Sequence, residues 1–164
     1  MLNRIDIAQI CINGHIITDS YRPSSSNQNF CDNCGETLIT NCKNCDAPIR
    51  GKEWIPDIMA DRPVGLYRPK SFCYNCGKPF PWTEAVLVSA KELAMFSDAY
   101  SEDEKKVLSQ SIDEIIIDTP KTKVEAVKFS HLMKKGGRAI ADGFREILID
   151  VISETAKKII WPNE

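Results

Sequence analysis

The chain has 164 residues, 43% of them hydrophobic, and a formal charge of −2. That is the length of one domain or two small modules, with an ordinary globular apolar share and neither the basic excess that advertises a polyanionic partner nor an acidic tail. No window approaches the ~18–20 apolar residues of a membrane span; the most hydrophobic stretch, residues 112–117, is short and holds Asp113 and Glu114.

The opening "MLNRIDIAQICINGH" carries Arg4 and Asp6 and lacks the apolar core of a signal peptide. A cytoplasmic location and no membrane association are therefore expected. Ile5, Ile7 and Gln9-Ile10 lead into Cys11, and Ile16-Ile17 follow His15. These apolar alternations predict short strands. Residues 21–29, rich in Pro, Ser and Asn, predict a loop.

All seven cysteines lie before residue 77. An odd number leaves one thiol outside any complete disulfide framework, and a reducing compartment disfavours such a framework anyway. The potential ligands fall into pairs: Cys11 with His15, Cys31 with Cys34, Cys42 with Cys45, and Cys73 with Cys76. Seven thiolates and one imidazole make eight ligands, which complete two tetrahedral zinc sites. Cys-x-x-Cys allows two thiolates from one tight turn to reach one ion. Gly35 after Cys34 and Gly77 after Cys76 can take positive φ and turn backbone N–H groups toward the sulfurs. In Cys11-Ile12-Asn13-Gly14-His15, Asn13-Gly14 supplies a tight turn that returns the imidazole toward Cys11.

Three groupings are open. Sequential ribbons would join the first pair to the second and the third to the fourth, with residues 46–72 as an insertion; a cross-brace would interleave the pairs. A third would put Cys31, Cys34, Cys42 and Cys45 on one ion. Short connections favour the sequential arrangement, with Leu38-Ile39 at the seam.

Residues 83–161 hold no cysteine and follow helical periodicity. Thr83 is the expected cap of a first helix with Val86, Leu87, Ala90, Leu93 and Ala94 on one face. Ser101-x-x-Glu104 reads as a capping box before Leu108, Ile112 and Ile115. A third helix starts at Thr119-Pro120 or Thr122-x-x-Glu125 and carries Val124, Val127, Phe129, Leu132 and Met133; Gly136-Gly137 ends it. Residues 140–159 predict one long last helix with Ile140, Phe144, Ile147, Leu148, Val151, Ile152, Thr155 and Ile159 inward. The expected fold class is α+β: a double zinc ribbon of short hairpins and knuckles over residues 1–82, then a four-helix bundle over 83–164.

The segments "QICINGHIIT", "CDNCG", "NCKNCDAPIRG" and "CYNCGKPFPWTEA", continued by "DTPKTKVEAVKF" and "ISETAKKI", resemble an uncharacterised prokaryotic domain-of-unknown-function family. The resemblance spans nearly the whole chain and implies a metal-binding N-terminal part. It carries no activity.

The remaining features have ordinary explanations. Phe80 and Trp82 in "KPFPWTE" read as rings joining ribbon to helices, or as an aromatic platform for a peptide or base. Arg50, Lys52, Arg62, Arg68 and Lys70 make the insertion modestly basic, offset by Glu53, Asp57 and Asp61. Lys134, Lys135 and Arg138 suit a helix end. His131 reads as a surface side chain. No His-Glu-x-x-His, phosphate-binding glycine loop or Gly-x-Ser-x-Gly motif occurs. The expected function is that of a zinc-binding, non-catalytic adaptor for a protein partner, with a homo-oligomer also open. The alternative is a nucleic-acid-binding zinc ribbon. A zinc enzyme with an open site at Cys11, Cys31 and Cys34 ranks third.

Overall fold

The computed structural model describes residues 3–24, 27–56 and 62–163. Ser25 and Ser26 of the loop, and Asp57 and Asp61 of the insertion, lie outside the described residues. The chain divides into two compact units, residues 1–84 and 85–164.

The first unit holds two small antiparallel sheets. In one, β1 (Arg4–Ile7) pairs with β5 (Arg50–Ile55), which pairs with β6 (Arg62–Pro63). Arg4 lies opposite Trp54 and Ile5 opposite Glu53; the register then shifts, leaving Ile7 opposite Arg50. In the other, β2 (Gln9–Cys11) runs between β3 (Ile16–Thr18) and β4 (Leu38–Ile39). All three β2 residues are buried. Backbone bonds from Ala8 N–H to Ile49 O (2.9 Å) and from Lys52 N–H to Asp19 O (2.8 Å) tie the sheets together. Gly51 permits this approach, because a Cβ there would collide with the Asp19 carbonyl and lie 2.9 Å from Ala8 N.

The core of this unit is thin: Ala8, Ile10, Ala47, Ile49, Phe80 and Trp82, with Cys42 and Cys73 among them. Phe80 and Trp82 stack at 4.6 Å and are 3% and 5% exposed. They fill this core and offer no platform to a ligand, which corrects that reading. Trp82 Nε1 donates to Lys70 O at 3.0 Å.

The helices are α1 (Pro81–Phe96), α2 (Glu102–Ile115), α3 (Thr122–Lys135), α4 (Arg138–Leu148) and α5 (Glu154–Ile160). Helix α1 begins two residues before the expected Thr83 cap. Pro81 occupies the first helical position, where its fixed φ suits the helix and a missing N–H costs nothing. Thr83 is fully buried and its Oγ1 donates to Ser71 O at 2.9 Å.

At α2 the capping box forms as expected: Glu104 N–H donates to Ser101 Oγ at 3.3 Å and Ser101 N–H to Glu104 Oε2 at 2.9 Å. Leu108, Ile112 and Ile115 are wholly buried. Helix α3 starts at Thr122, whose Oγ1 donates back to Ile117 O at 2.7 Å. Its face differs from the expectation. Val124 and Val127 are 56% and 60% exposed, while Thr122, Ala126, Phe129, Ser130, Leu132 and Met133 are buried. Small inward residues mark a close helix–helix approach, so side-chain size misled the periodicity reading.

The long last helix is also corrected. Residues 149–153 interrupt it, and Ser153 caps α5 by accepting from Ala156 N–H at 3.2 Å. Ser153 N–H meanwhile donates to Ile115 O at 2.9 Å. Phe144, Leu148, Ile152, Ala156 and Ile160 stay buried across the break, so the i, i+4 pattern conceals it. Phe144 meets Phe129 edge-on at 5.1 Å. No helix among the described residues is long and apolar enough to cross a membrane.

Candidate metal centres

Three short segments repeat one backbone design. Each Cys-x-x-Cys turn places the following residue at positive φ: Gly35 (75°), Asp46 (58°) and Gly77 (69°). That residue donates back to the first cysteine's carbonyl, as in Gly35 N–H to Cys31 O at 2.7 Å, Asp46 to Cys42 at 2.9 Å and Gly77 to Cys73 at 2.9 Å. The first cysteine's own N–H donates onward to Glu36 O, Ala47 O and Lys78 O, each at 2.8 Å. A left-handed residue is needed to close so tight a turn. Glycine takes that conformation freely, and Asp is among the few other residues that tolerate it.

The fourth turn is a variant. Gly14 N–H donates to Cys11 O at 2.8 Å and Cys11 N–H to His15 O at 2.9 Å, which brings the imidazole where a second cysteine would sit. Gly14 has φ 91°, and a Cβ there would lie 3.1 Å from Trp82 Cβ. No other residue fits without strain.

These turns bring all eight expected ligands into two groups. Cys11, His15, Cys31 and Cys34 form one; Cys42, Cys45, Cys73 and Cys76 form the other, with all donor atoms in each group within 4.8 Å of one another. The grouping is sequential. In the first, Cys11 Sγ is 3.4 Å from Cys34 Sγ, and Cys31 Sγ is 3.4 Å from His15 Nδ1. In the second, Cys42 Sγ is 3.8 Å from Cys76 Sγ and Cys45 Sγ is 3.7 Å from Cys73 Sγ. A disulfide requires about 2.05 Å, and all seven cysteines are free. Leu38 and Ile39 lie at the seam, as β4 pairs with β2 on one side and Thr40 O accepts from Ile49 N–H on the other.

The thiols within each group differ in acidity. Burial pushes Cys11 and Cys42 up to about 11. The Glu36 backbone N–H pulls Cys34 down to about 6, and the Lys78 N–H with the Asn44 side chain does the same for Cys76. At Cys73 burial opposes, but the Cys76 and Asn75 N–H groups prevail and lower the pKa. The buried Cys11 and Cys42 thiols thus hold their protons more firmly than those of Cys34 and Cys76. A cation would draw the remaining protons off, so uptake would release protons to solvent. With four soft donors apiece, each group could hold one metal ion.

Sequence reasoning missed the asparagines beside these sulfurs. Asn13 Nδ2 donates to Cys34 Sγ at 3.6 Å and Asn75 Nδ2 to Cys45 Sγ at 3.5 Å. Their signal was present: Asn stands two residues after the first ligand in all four turns, as Asn13, Asn33, Asn44 and Asn75. The other sequence candidates lie outside both groups. His131 is exposed on α3. Lys135 pairs with Glu104 at 2.6 Å and Arg138 with Asp142 at 3.8 Å.

Residues 4–160 match the family described as "Uncharacterized protein conserved in bacteria (DUF2321)". No curated protein and no solved structure matches the chain. With nearly its whole length covered by that match, the chain belongs to this bacterial family.

Proposed function

We propose that this family member is a zinc protein whose two structural Zn²⁺ ions build a double zinc ribbon, and that the ribbon serves as a non-catalytic adaptor for a protein partner. One observation carries the metal assignment. An ion about 2.3 Å from four sulfurs lies in a tetrahedron with edges of about 3.8 Å. The second group's sulfur separations of 3.8 and 3.7 Å match that edge. In the first group the sulfur–nitrogen separation of 3.4 Å is close to the ~3.6 Å edge of a zinc–thiolate–imidazole tetrahedron, while Cys11 Sγ and Cys34 Sγ, 3.4 Å apart, stand closer than the sulfur–sulfur edge. Thiolate and imidazole donors in tetrahedral array favour zinc among common ions.

Four donors per group fill a tetrahedral coordination shell, which supports a structural role. The position of His15 supports a closed first site over an open one at Cys11, Cys31 and Cys34. Metal analysis of the purified full chain should return two zinc ions; one zinc, or iron instead, overturns the assignment. For the adaptor role, the full chain is recovered from its own cells, and a co-purifying protein is rebuilt with it from purified components. Binding should be lost on zinc removal and restored on zinc return.

A nucleic-acid role is the second reading. Arg50 lies 3.9 Å over the half-exposed Tyr74 ring, and Arg4 and Lys52 lie 4.9 and 5.0 Å from the Trp54 ring. Cation–aromatic pairs of this kind suit phosphates and bases. The charge of −2 opposes it. Binding to single-stranded DNA or RNA that weakens steeply with salt would favour this reading over the first.

A further inference from the structure

We infer that Asn13 and Asn75 are positioning residues for the metal ions, each a two-armed clamp that binds its own ligand turn to the opposite one through N–H···S bonds. The inference rests on the metal-binding reading above.

The first arm is the backbone. Asn13 N–H donates to Cys11 Sγ at 3.3 Å and Asn75 N–H to Cys73 Sγ at 3.4 Å. The second arm is the side chain, and it crosses the site. Asn13 reaches Cys34 at 3.6 Å and Asn75 reaches Cys45 at 3.5 Å.

The target of each side chain follows a pattern. The first cysteines, Cys11, Cys31, Cys42 and Cys73, are buried, whereas Cys34 is exposed and Cys45 and Cys76 are half-buried. Each amide goes to one of the less protected sulfurs. A divalent ion leaves excess negative charge on three or four thiolates, and neutral N–H donors spread that charge without adding a competing ligand. Asparagine has the required length and polarity. Aspartate has the same shape but no N–H to give, and would set a carboxylate against a thiolate.

Asn33 is a built-in control. It occupies the same place in its turn, but the ligand across from it is His15, not a second cysteine. Among the described residues its side chain makes no bond to sulfur.

The test uses the full chain with zinc bound, in the variants Asn13→Ala, Asn33→Ala, Asn75→Ala and Asn75→Asp, and measures zinc affinity by competition with a chelator. Loss of one outer partner typically weakens a site 10–100-fold. Asn13→Ala should weaken one ion by roughly tenfold, Asn75→Ala the other by roughly tenfold, and Asn75→Asp at least as much as Asn75→Ala; Asn33→Ala should stay within about twofold. Cobalt substitution gives a second readout. Removing an N–H···S bond raises the sulfur donor level, so the thiolate-to-cobalt charge-transfer band should move to longer wavelength in Asn13→Ala and Asn75→Ala but not in Asn33→Ala.

If the unsubstituted chain takes up neither zinc nor cobalt, the metal reading falls and takes this inference with it. If it binds two ions and the Asn13 and Asn75 variants match Asn33→Ala in affinity and spectrum, the inference alone is overturned. Should the Asn75 variants fail to fold, Asn13→Ala applies the same test at the other site.

Discussion

The two units have nearly equal lengths, residues 1–84 and 85–164, and hold themselves together differently. The second buries Leu108, Ile112, Ile115, Phe129, Phe144, Leu148, Ile152 and Ile160, a full set of large apolar side chains. The first buries Ile10, Ile49, Phe80 and Trp82, and completes its core with Cys42 and Cys73. In the helical unit, sequence becomes stability through area removed from water. In the first unit two of the clustered sulfurs, those of Cys42 and Cys73, are themselves core atoms, so the candidate site and the fold are one structure. A small module without enough apolar surface needs such a staple.

The largest expected effect separates the units by metal. On the proposed zinc reading, a strong chelator should unfold residues 1–84 and leave most of the helical circular dichroism, because a structural zinc ion supplies on the order of 10–16 kcal/mol to a small domain. Trp54 and Trp82 report on the first unit and Trp161 on the second. Their fluorescence should change in the first and hold in the second. Collapse of the helical signal along with the metal would mean that the units share one stability.

The reverse experiment attacks the helical core. Phe129→Ala removes a wholly buried ring from contact with Phe144. It should cost about 3–5 kcal/mol of unfolding free energy, read by denaturant titration of the helical signal, with zinc content unchanged. Loss of zinc in the same variant would contradict the division.

A smaller effect sharpens the helical side alone. Ser153→Ala removes the α5 cap and should cost about 1 kcal/mol. Amide exchange should quicken across residues 154–160 and leave α2 protected. Protection lost evenly through the unit would show that the break before α5 has no local independence.

The smallest effect is electrostatic. Hydrogen bonding and ion pairing with Lys135, and the Ser101 N–H, hold the Glu104 carboxyl below the usual glutamate range. A lowered folded pKa gives stability that is present above the unfolded value and lost as pH falls through the folded one. Glu104→Gln should therefore flatten the acid limb of the helical unit's stability curve, while zinc loss in acid, governed by thiolate protonation, stays as steep as before. An unchanged acid limb would show that the pair adds nothing measurable.

Legibility followed the range of the interactions. The two groups of four donors and their sequential order could be read because each pair is local, and glycine marked two of the left-handed closures. The third closure falls on Asp46, which sequence reasoning did not flag. The capping box at Ser101 was legible for the same reason. The inward face of α3 was not, since Ala126 and Ser130 reveal themselves as core only when another helix comes close. The break at residues 149–153 escaped because the apolar spacing continues across it while one serine redirects the backbone. The asparagines escaped because their partners lie on the opposite turn: Asn75 and Cys45 are neighbours only once both turns face one centre.

The pairing of β1 with β5 has a consequence for the order of events during synthesis. Arg4 and Ile5 are made well before their partners Trp54 and Glu53, which follow only after Cys11, His15, Cys31, Cys34, Cys42 and Cys45. The first four-ligand set is therefore complete while β1 is still a lone strand. At the same moment Cys42 and Cys45 await Cys73 and Cys76, which emerge later still. The nascent chain passes through a stage with one complete set of donors, one half set of bare thiols and a β1 without its partner. Translation speed between residues 45 and 54 sets how long that stage lasts, and the half set of thiols then waits until residue 76.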